Sequence, residues 1–218
     1  MEHFITQTVR HEAGLIAGKA VPDPFQFADF VTFTTHKTFR GPRGAVAMCR
    51  KEYASKLDRS VFPGLQGGPF NHNIAGILQA TLEAQTLEFQ NYARQIVLNA
   101  KAFAKGLMDR GFEIVTGGTD KHLLLIDLRN SEIKGSELAK RLANVNVITN
   151  KNSVPWESGS PTNPSGLRIG TPLVTTRGMK ETEMETIAEI IHRVYNNENL
   201  EEVKVMVEEL CKKFPLDI

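Results

Sequence analysis

The 218-residue chain is poor in cysteine, has no long apolar run and carries no surplus of either charge, and each absence narrows what it can be. Its two cysteines, Cys49 and Cys211, stand far apart without metal-ligand spacing. They read as reduced thiols, with a disulfide between them the other option. No apolar stretch approaches the roughly 20 residues that cross a bilayer as a helix. The start, Met1-Glu2-His3-Phe4, lacks the basic region and long apolar region of a secretory signal, so cytoplasm is the expected compartment. A formal net charge of +1 leaves no basic excess to neutralise rows of phosphates, which argues against a dedicated nucleic-acid binder. No internal repeat or low-complexity segment is present. What remains is ordinary for a soluble globular protein, 41% hydrophobic and 23% charged, with ample length for a core.

The chemistry is concentrated in Val31-Thr32-Phe33-Thr34-Thr35-His36-Lys37-Thr38-Phe39-Arg40-Gly41-Pro42-Arg43-Gly44. The run starts β-branched and aromatic, as a strand does, and ends in a basic turn punctuated by Gly41, Pro42 and Gly44. Lys37 therefore falls where a strand gives way to a loop, with His36 before it and threonines on both sides. A lysine held there loses hydration, which favours the neutral amine that attacks a carbonyl to form a Schiff base. Taken alone, Thr-His-Lys-Thr is more often a solvated lysine in a basic loop.

Further along, Val61-Phe62-Pro63-Gly64-Leu65-Gln66-Gly67-Gly68-Pro69 is a glycine loop entering a helix. Its backbone N–H groups and the following helix N-terminus suit an anion. From Asn71 to Arg110 there is no proline, and apolar residues recur at helical spacing. One very long helix is expected, or two in series with a bend near Glu88 to Tyr92. Phe112 to Thr116 and His122 to Leu128 read as strands, Ser136 to Leu142 as a helix and Asn146 to Thr149 as another strand. That alternation suggests a compact α/β layer. A long loop, Asn150 to Gly166, leads into Leu167-Arg168-Ile169-Gly170, where one arginine stands between apolar residues and needs an anionic partner. Thr182 to Asn197 and Leu200 to Phe214 are amphipathic closing helices.

The Lys37 string, the glycine loop, Asn150-Lys151-Asn152-Ser153-Val154-Pro155 and Ser165-Gly166-Leu167-Arg168-Ile169-Gly170-Thr171-Pro172 occur in the order of serine hydroxymethyltransferases. The chain closely resembles that family over about residues 11 to 195, and resembles its C-terminal half. The resemblance implies an α/β chain of the aspartate-aminotransferase-like fold (fold type I). Residues 1–88 would be a remnant of the large cofactor domain and residues 89–218 the small C-terminal domain, with the helical stretch 71–110 bridging them. It implies pyridoxal 5'-phosphate as a Schiff base on Lys37 and tetrahydrofolate as co-substrate, in the interconversion of serine and glycine. By the same resemblance His36 and His11 lie near the cofactor ring, and Gly67 and Gly68 reach the phosphate of a neighbouring subunit's cofactor. Arg168 would grip the substrate carboxylate, and Asn152, Ser160 and Phe62 would contact folate. The aspartate that pairs with the cofactor's ring nitrogen falls on Thr8, a departure with chemical weight, because a hydroxyl supplies no charge. The implied partner is a second copy in a homodimer or a separate N-terminal half. The alternative expectation is a truncated, non-catalytic relative serving as a partner-binding or dimerisation module.

Overall fold

The computed structural model describes residues 4–160 and 162–216. They form two compact units, residues 1–94 and 95–218, divided within one helix, α4 (Leu87–Met108).

In the first unit, β1 (Thr6–Thr8), β2 (Phe30–Thr34) and β3 (Ala45–Cys49) form a mixed sheet in the order β1-β2-β3. β1 runs parallel to β2, with Thr8 opposite Thr32, and β3 runs antiparallel to it. A parallel pair needs a crossover, supplied here by α1 (Ala13–Ala17) and a proline-bounded turn. The core is small: Val9, Ala28 and Val31 form one cluster, and Ala13, Phe39, Ala80, Ala84 and Phe89 another. Every residue of β1 is exposed at the sheet edge. α2 (Ala54–Arg59) and the residues from Val61 to Phe70 bury no side chain.

The helical stretch after the glycine loop is two helices, α3 (Asn71–Ala84) and α4. The break comes at Gln85-Thr86, ahead of the bend expected near Glu88 to Tyr92. The Thr86 hydroxyl donates to the carbonyl of Glu83, 2.7 Å away, and accepts from the backbone N–H of Phe89 at 3.1 Å. One side chain thus ends α3 and caps α4.

In the second unit, β4 (Glu113–Ile114), β5 (Leu123–Asp127), β6 (Asn150–Asn152) and β7 (Gly166–Gly170) form an antiparallel sheet in the order β4-β5-β7-β6. α5 (Gly135–Ala143), α7 (Glu181–Tyr195) and α8 (Leu200–Lys213) contribute to one large core. Leu124, Ile126, Leu167 and Ile169 project into it from the strands. Leu138, Leu142, Met184, Ile191 and Val203 meet them from the helices. Strand alternation therefore turns Arg168, between Leu167 and Ile169, to the other face of the sheet. The strand expected at Asn146–Thr149 forms later, as β6. Val147 N–H closes back on the Leu142 carbonyl at 2.9 Å and Asn146 takes φ 64°, so those residues end α5 instead. A buried polar group joins α4 to α6 (Pro172–Thr176): Asn99 donates to Thr175 Oγ1 and the Met179 carbonyl, each at 2.9 Å.

The contrast in core size has a measurable consequence. Amides of β5, β7 and α7 are expected to exchange with deuterium at least about tenfold more slowly than those of β1, β3 and α2. Uniform protection along a dilute monomer would contradict it.

Candidate functional site

Lys37 follows β2 by three residues and is half-buried. Its surroundings are built by hydroxyls. Lys37 Nζ donates to Thr34 Oγ1 at 3.1 Å, and that hydroxyl donates in turn to the Arg10 carbonyl at 3.1 Å. Thr35, fully buried, donates its hydroxyl to the Pro42 carbonyl at 2.6 Å. Its backbone N–H meets the Gly44 carbonyl at 3.0 Å, and its own carbonyl accepts from Gly41 N–H at 2.8 Å. The turn is thereby drawn closed behind the lysine. Thr38, 3% exposed, donates to the His11 carbonyl at 2.6 Å and accepts from Gly14 N–H at 3.1 Å. At Gly14 a Cβ would lie 2.0 Å from the Thr38 carbonyl oxygen, so only glycine permits this approach. Phe39 is buried beside Ala13 and Phe89, and the Arg40 guanidinium lies over the Tyr92 ring at 4.9 Å from its centroid.

His11, His36 and Lys37 are thus tied to one loop and one helix start. His36 is half-buried, and its Nδ1 is screened from solvent with no hydrogen-bond partner among the described residues. Thr8 Oγ1 shares a 3.1 Å hydrogen bond with Thr32 Oγ1 across β1 and β2, so the position expected to carry a carboxylate holds a hydroxyl already engaged. Phe62, Gly67 and Gly68 are exposed, and nothing lies within 4 Å of a Cβ placed at either glycine. Packing within this chain therefore does not demand glycine there.

The remaining expected residues lie in the second unit. Arg168 is half-buried on β7, opposite Leu125 on one side and Asn150 on the other. Among the described residues its guanidinium forms no ion pair or hydrogen bond. An internal carboxylate, the commonest fate of such an arginine, is not what holds it. Asn152 Nδ2 donates to the Ser153 carbonyl at 2.7 Å, and exposed Ser160 shares a 2.8 Å hydrogen bond with Thr162. The loop bearing them is pinned by Glu157, whose carboxylate accepts from Val154 N–H at 3.2 Å and Ser165 N–H at 3.1 Å. Those hydrogen bonds, those from Ser165 first, hold the Glu157 carboxyl below its ordinary value. Asp127, at the end of β5, is gripped by Arg129, whose Nη2 lies 2.6 Å away and which lowers its pKa, so it is a structural ion pair. Cavities of about 270 Å³ near Arg110 and His192 and about 510 Å³ near Lys134 and Lys151 include neither Lys37 nor Arg168 in their linings.

The family model for serine hydroxymethyltransferase matches residues 1–191. The chain belongs to the serine hydroxymethyltransferase family. A curated serine hydroxymethyltransferase from Sorangium cellulosum is 49% identical over 216 residues, covering 97% of this chain. The chain spans about half (51%) of that relative's length. The family match begins at residue 1, so the first ten residues, which show no resemblance when read singly, belong to it and Thr8 lies inside it. Family membership carries the fold-type I assignment, and the mixed and antiparallel sheets fit its α/β class. Among the described residues no helix is long and apolar enough to cross a membrane.

Sequence reading pointed to Lys37 but not to what Thr34, Thr35 and Thr38 do, nor to Glu157. The threonines flanking the lysine were the visible signal, but their partners lie up to 27 residues away. Two outcomes follow. Thr38→Val removes the hydroxyl that bridges Gly14 N–H and the His11 carbonyl, lowering unfolding stability by about 1–3 kcal/mol in urea titrations, while Thr38→Ser retains most of it. Glu157, with its depressed pKa, stabilises the loop fully above the ordinary carboxylate range and releases it as pH falls through the lowered value. The emission of adjacent Trp156 is therefore expected to hold constant from neutral pH to that range and change below it, and Glu157→Gln to remove the transition. A pH-independent signal in the parent chain would refute the Glu157 anchor.

Proposed function

We propose that the chain supplies the lysine and the carboxylate-gripping arginine of a pyridoxal-phosphate-dependent serine hydroxymethyltransferase. In that role it contributes part of the large domain, followed by the small C-terminal domain. The observation that carries this is Lys37: half-buried, oriented by Thr34 Oγ1 and bonded to no carboxylate among the described residues. A side chain so held is oriented by a neutral hydroxyl that accepts from Nζ and passes its own proton to the Arg10 carbonyl. When bound, pyridoxal phosphate supplies a ring that takes up the electron pair left at the substrate's Cα.

The fit to that cofactor is favourable at three points. Lys37 offers the amine, and the Nδ1 of His36, unpartnered among the described residues, offers a hydrogen-bonding position on the adjacent residue. The Gly67-Gly68 turn, free of packing demands, can present backbone N–H groups to a phosphate, in the family's manner that of a neighbouring subunit. At Thr8 the fit fails, because its hydroxyl cannot hold a proton on the ring nitrogen as a carboxylate does. Arg168, its planar fork uncommitted among the described residues, suits the bidentate grip of an amino-acid carboxylate. Asn152, Ser160 and Phe62 are the proposed folate contacts, with tetrahydrofolate accepting the one-carbon unit from serine. The partner is a second copy or a chain equivalent to the family's N-terminal half, in the cytoplasm. That half would enclose a site this chain only partly surrounds.

Incubation with pyridoxal phosphate, borohydride reduction and peptide mapping test this directly. Lys37 is expected to be the dominant labelled lysine, more strongly when a relative's N-terminal half is added, and Lys37→Arg to abolish the label there. Labelling spread evenly over exposed lysines under both conditions would overturn it.

A further inference from the structure

The face of the second sheet that carries Arg168 holds few side chains, and those nearest the arginine stand in a row. On β7 the residues sharing that face with Arg168 are Gly166 and Gly170, so the guanidinium is the only side chain the strand puts there. Directly opposite Arg168 in the register lie Leu125 on β5 and Asn150 on β6. Residues paired in this way project to one face, their Cβ atoms roughly 5 Å apart. Lys151, which alternates with Asn150, lines a cavity with Ser136, Glu137 and Lys140 of α5. Asn150 therefore faces away from α5, on the side of Arg168.

The row is fixed at both ends of β7. At one end, a Cβ on Gly166 would lie 2.5 Å from the Asn152 carbonyl oxygen, so β6 and β7 touch where a side chain would stand. At the other, the fully buried Thr171 donates its N–H to the His122 carbonyl at 2.9 Å and its hydroxyl to the Ile96 carbonyl at 2.8 Å. These contacts oppose a one-residue slip, which would turn Arg168 toward the core.

The polar groups of this face differ in what they have left to give. Asn152, two residues from Asn150, has spent its Nδ2 on the Ser153 carbonyl. Asp127 is held by Arg129, and Glu113 lies opposite it, two strands away from Arg168. Asn150 is exposed, and its carboxamide hydrogen-bonds to nothing among the described residues. An open guanidinium beside an open carboxamide suits an anion with two oxygens. A carboxylate has about four acceptor positions, of which a bidentate arginine takes two. We propose that Asn150 is a second carboxylate-binding residue, its Nδ2 donating to the amino-acid carboxylate that Arg168 grips, with Leu125 bounding the other side. Resting on the Arg168 part of the proposed function, this makes Asn150 a specificity-determining contact for the substrate.

Titration of the nitrogen-15-labelled full chain with glycine, followed at the Arg168 guanidinium and the Asn150 amide, tests this. Both signals are expected to shift with a common midpoint, and glycinamide, which lacks the carboxylate, to move neither. Asn150→Ala raises the glycine midpoint at Arg168 about tenfold. Because the side chain is exposed and unbonded, that variant melts at the parent's temperature. Asn150→Asp sets an anion opposite the guanidinium, shifting the Arg168 signal without ligand and abolishing its response to glycine. A shift at Arg168 with the Asn150 amide unmoved, or equal midpoints in the parent and Asn150→Ala, overturns the role of Asn150 and leaves the Arg168 grip standing. Equal responses to glycinamide and glycine, or no shift at Arg168 in the parent, overturn both.

Discussion

The turn that carries Lys37 depends on the hydrogen bonds of three threonine hydroxyls. Thr35 closes the turn from behind, Thr38 ties it to the start of α1, and Thr34 receives the amine itself. Burying such groups is tolerable only because each finds a partner, and the partners are backbone carbonyls that cannot be mutated away. The arrangement needs Gly14 as much as Thr38, since the two backbones touch where a side chain would stand. Lys37 is therefore held by geometry rather than by an opposing charge. The group that orients its Nζ is the neutral Thr34 hydroxyl.

The second unit solves the complementary problem by sheet alternation. A cation between two buried aliphatic residues would be costly on the core side, and the period of the strand turns Arg168 to the opposite face. Its neighbours Leu167 and Ile169 lock the strand into the large core, so the arginine is placed by residues packed on the opposite face of the sheet. Glu157 acts similarly for the loop before β7, converting a stretch rich in serine, proline and glycine into a fixed turn.

Much of this was legible in the sequence where chemistry is local. The β-branched run followed by Gly41-Pro42 put Lys37 at a strand end, and the helical periods of α3, α4, α7 and α8 were plain. What escaped was set by single side chains acting at a distance or against the pattern. Thr86 breaks the long helix before its period falters. The return of Val147 to Leu142 ends α5 in residues whose composition reads as strand, and the strand forms in Asn150–Asn152, whose composition does not. The Thr38 contacts join segments more than twenty residues apart, a distance no periodicity reveals. Thr8 was visible only as a departure from the family pattern. The structure adds that its hydroxyl is already paired across the strands.

A crystal structure of the chain after reduction with pyridoxal phosphate would test most directly the claim that Lys37 is a presented amine. The account predicts density continuous with Lys37 Nζ, His36 beside the ring, and the bonds from Thr35 and Thr38 unchanged. A cofactor attached to another lysine, with Lys37 still on Thr34, would contradict it.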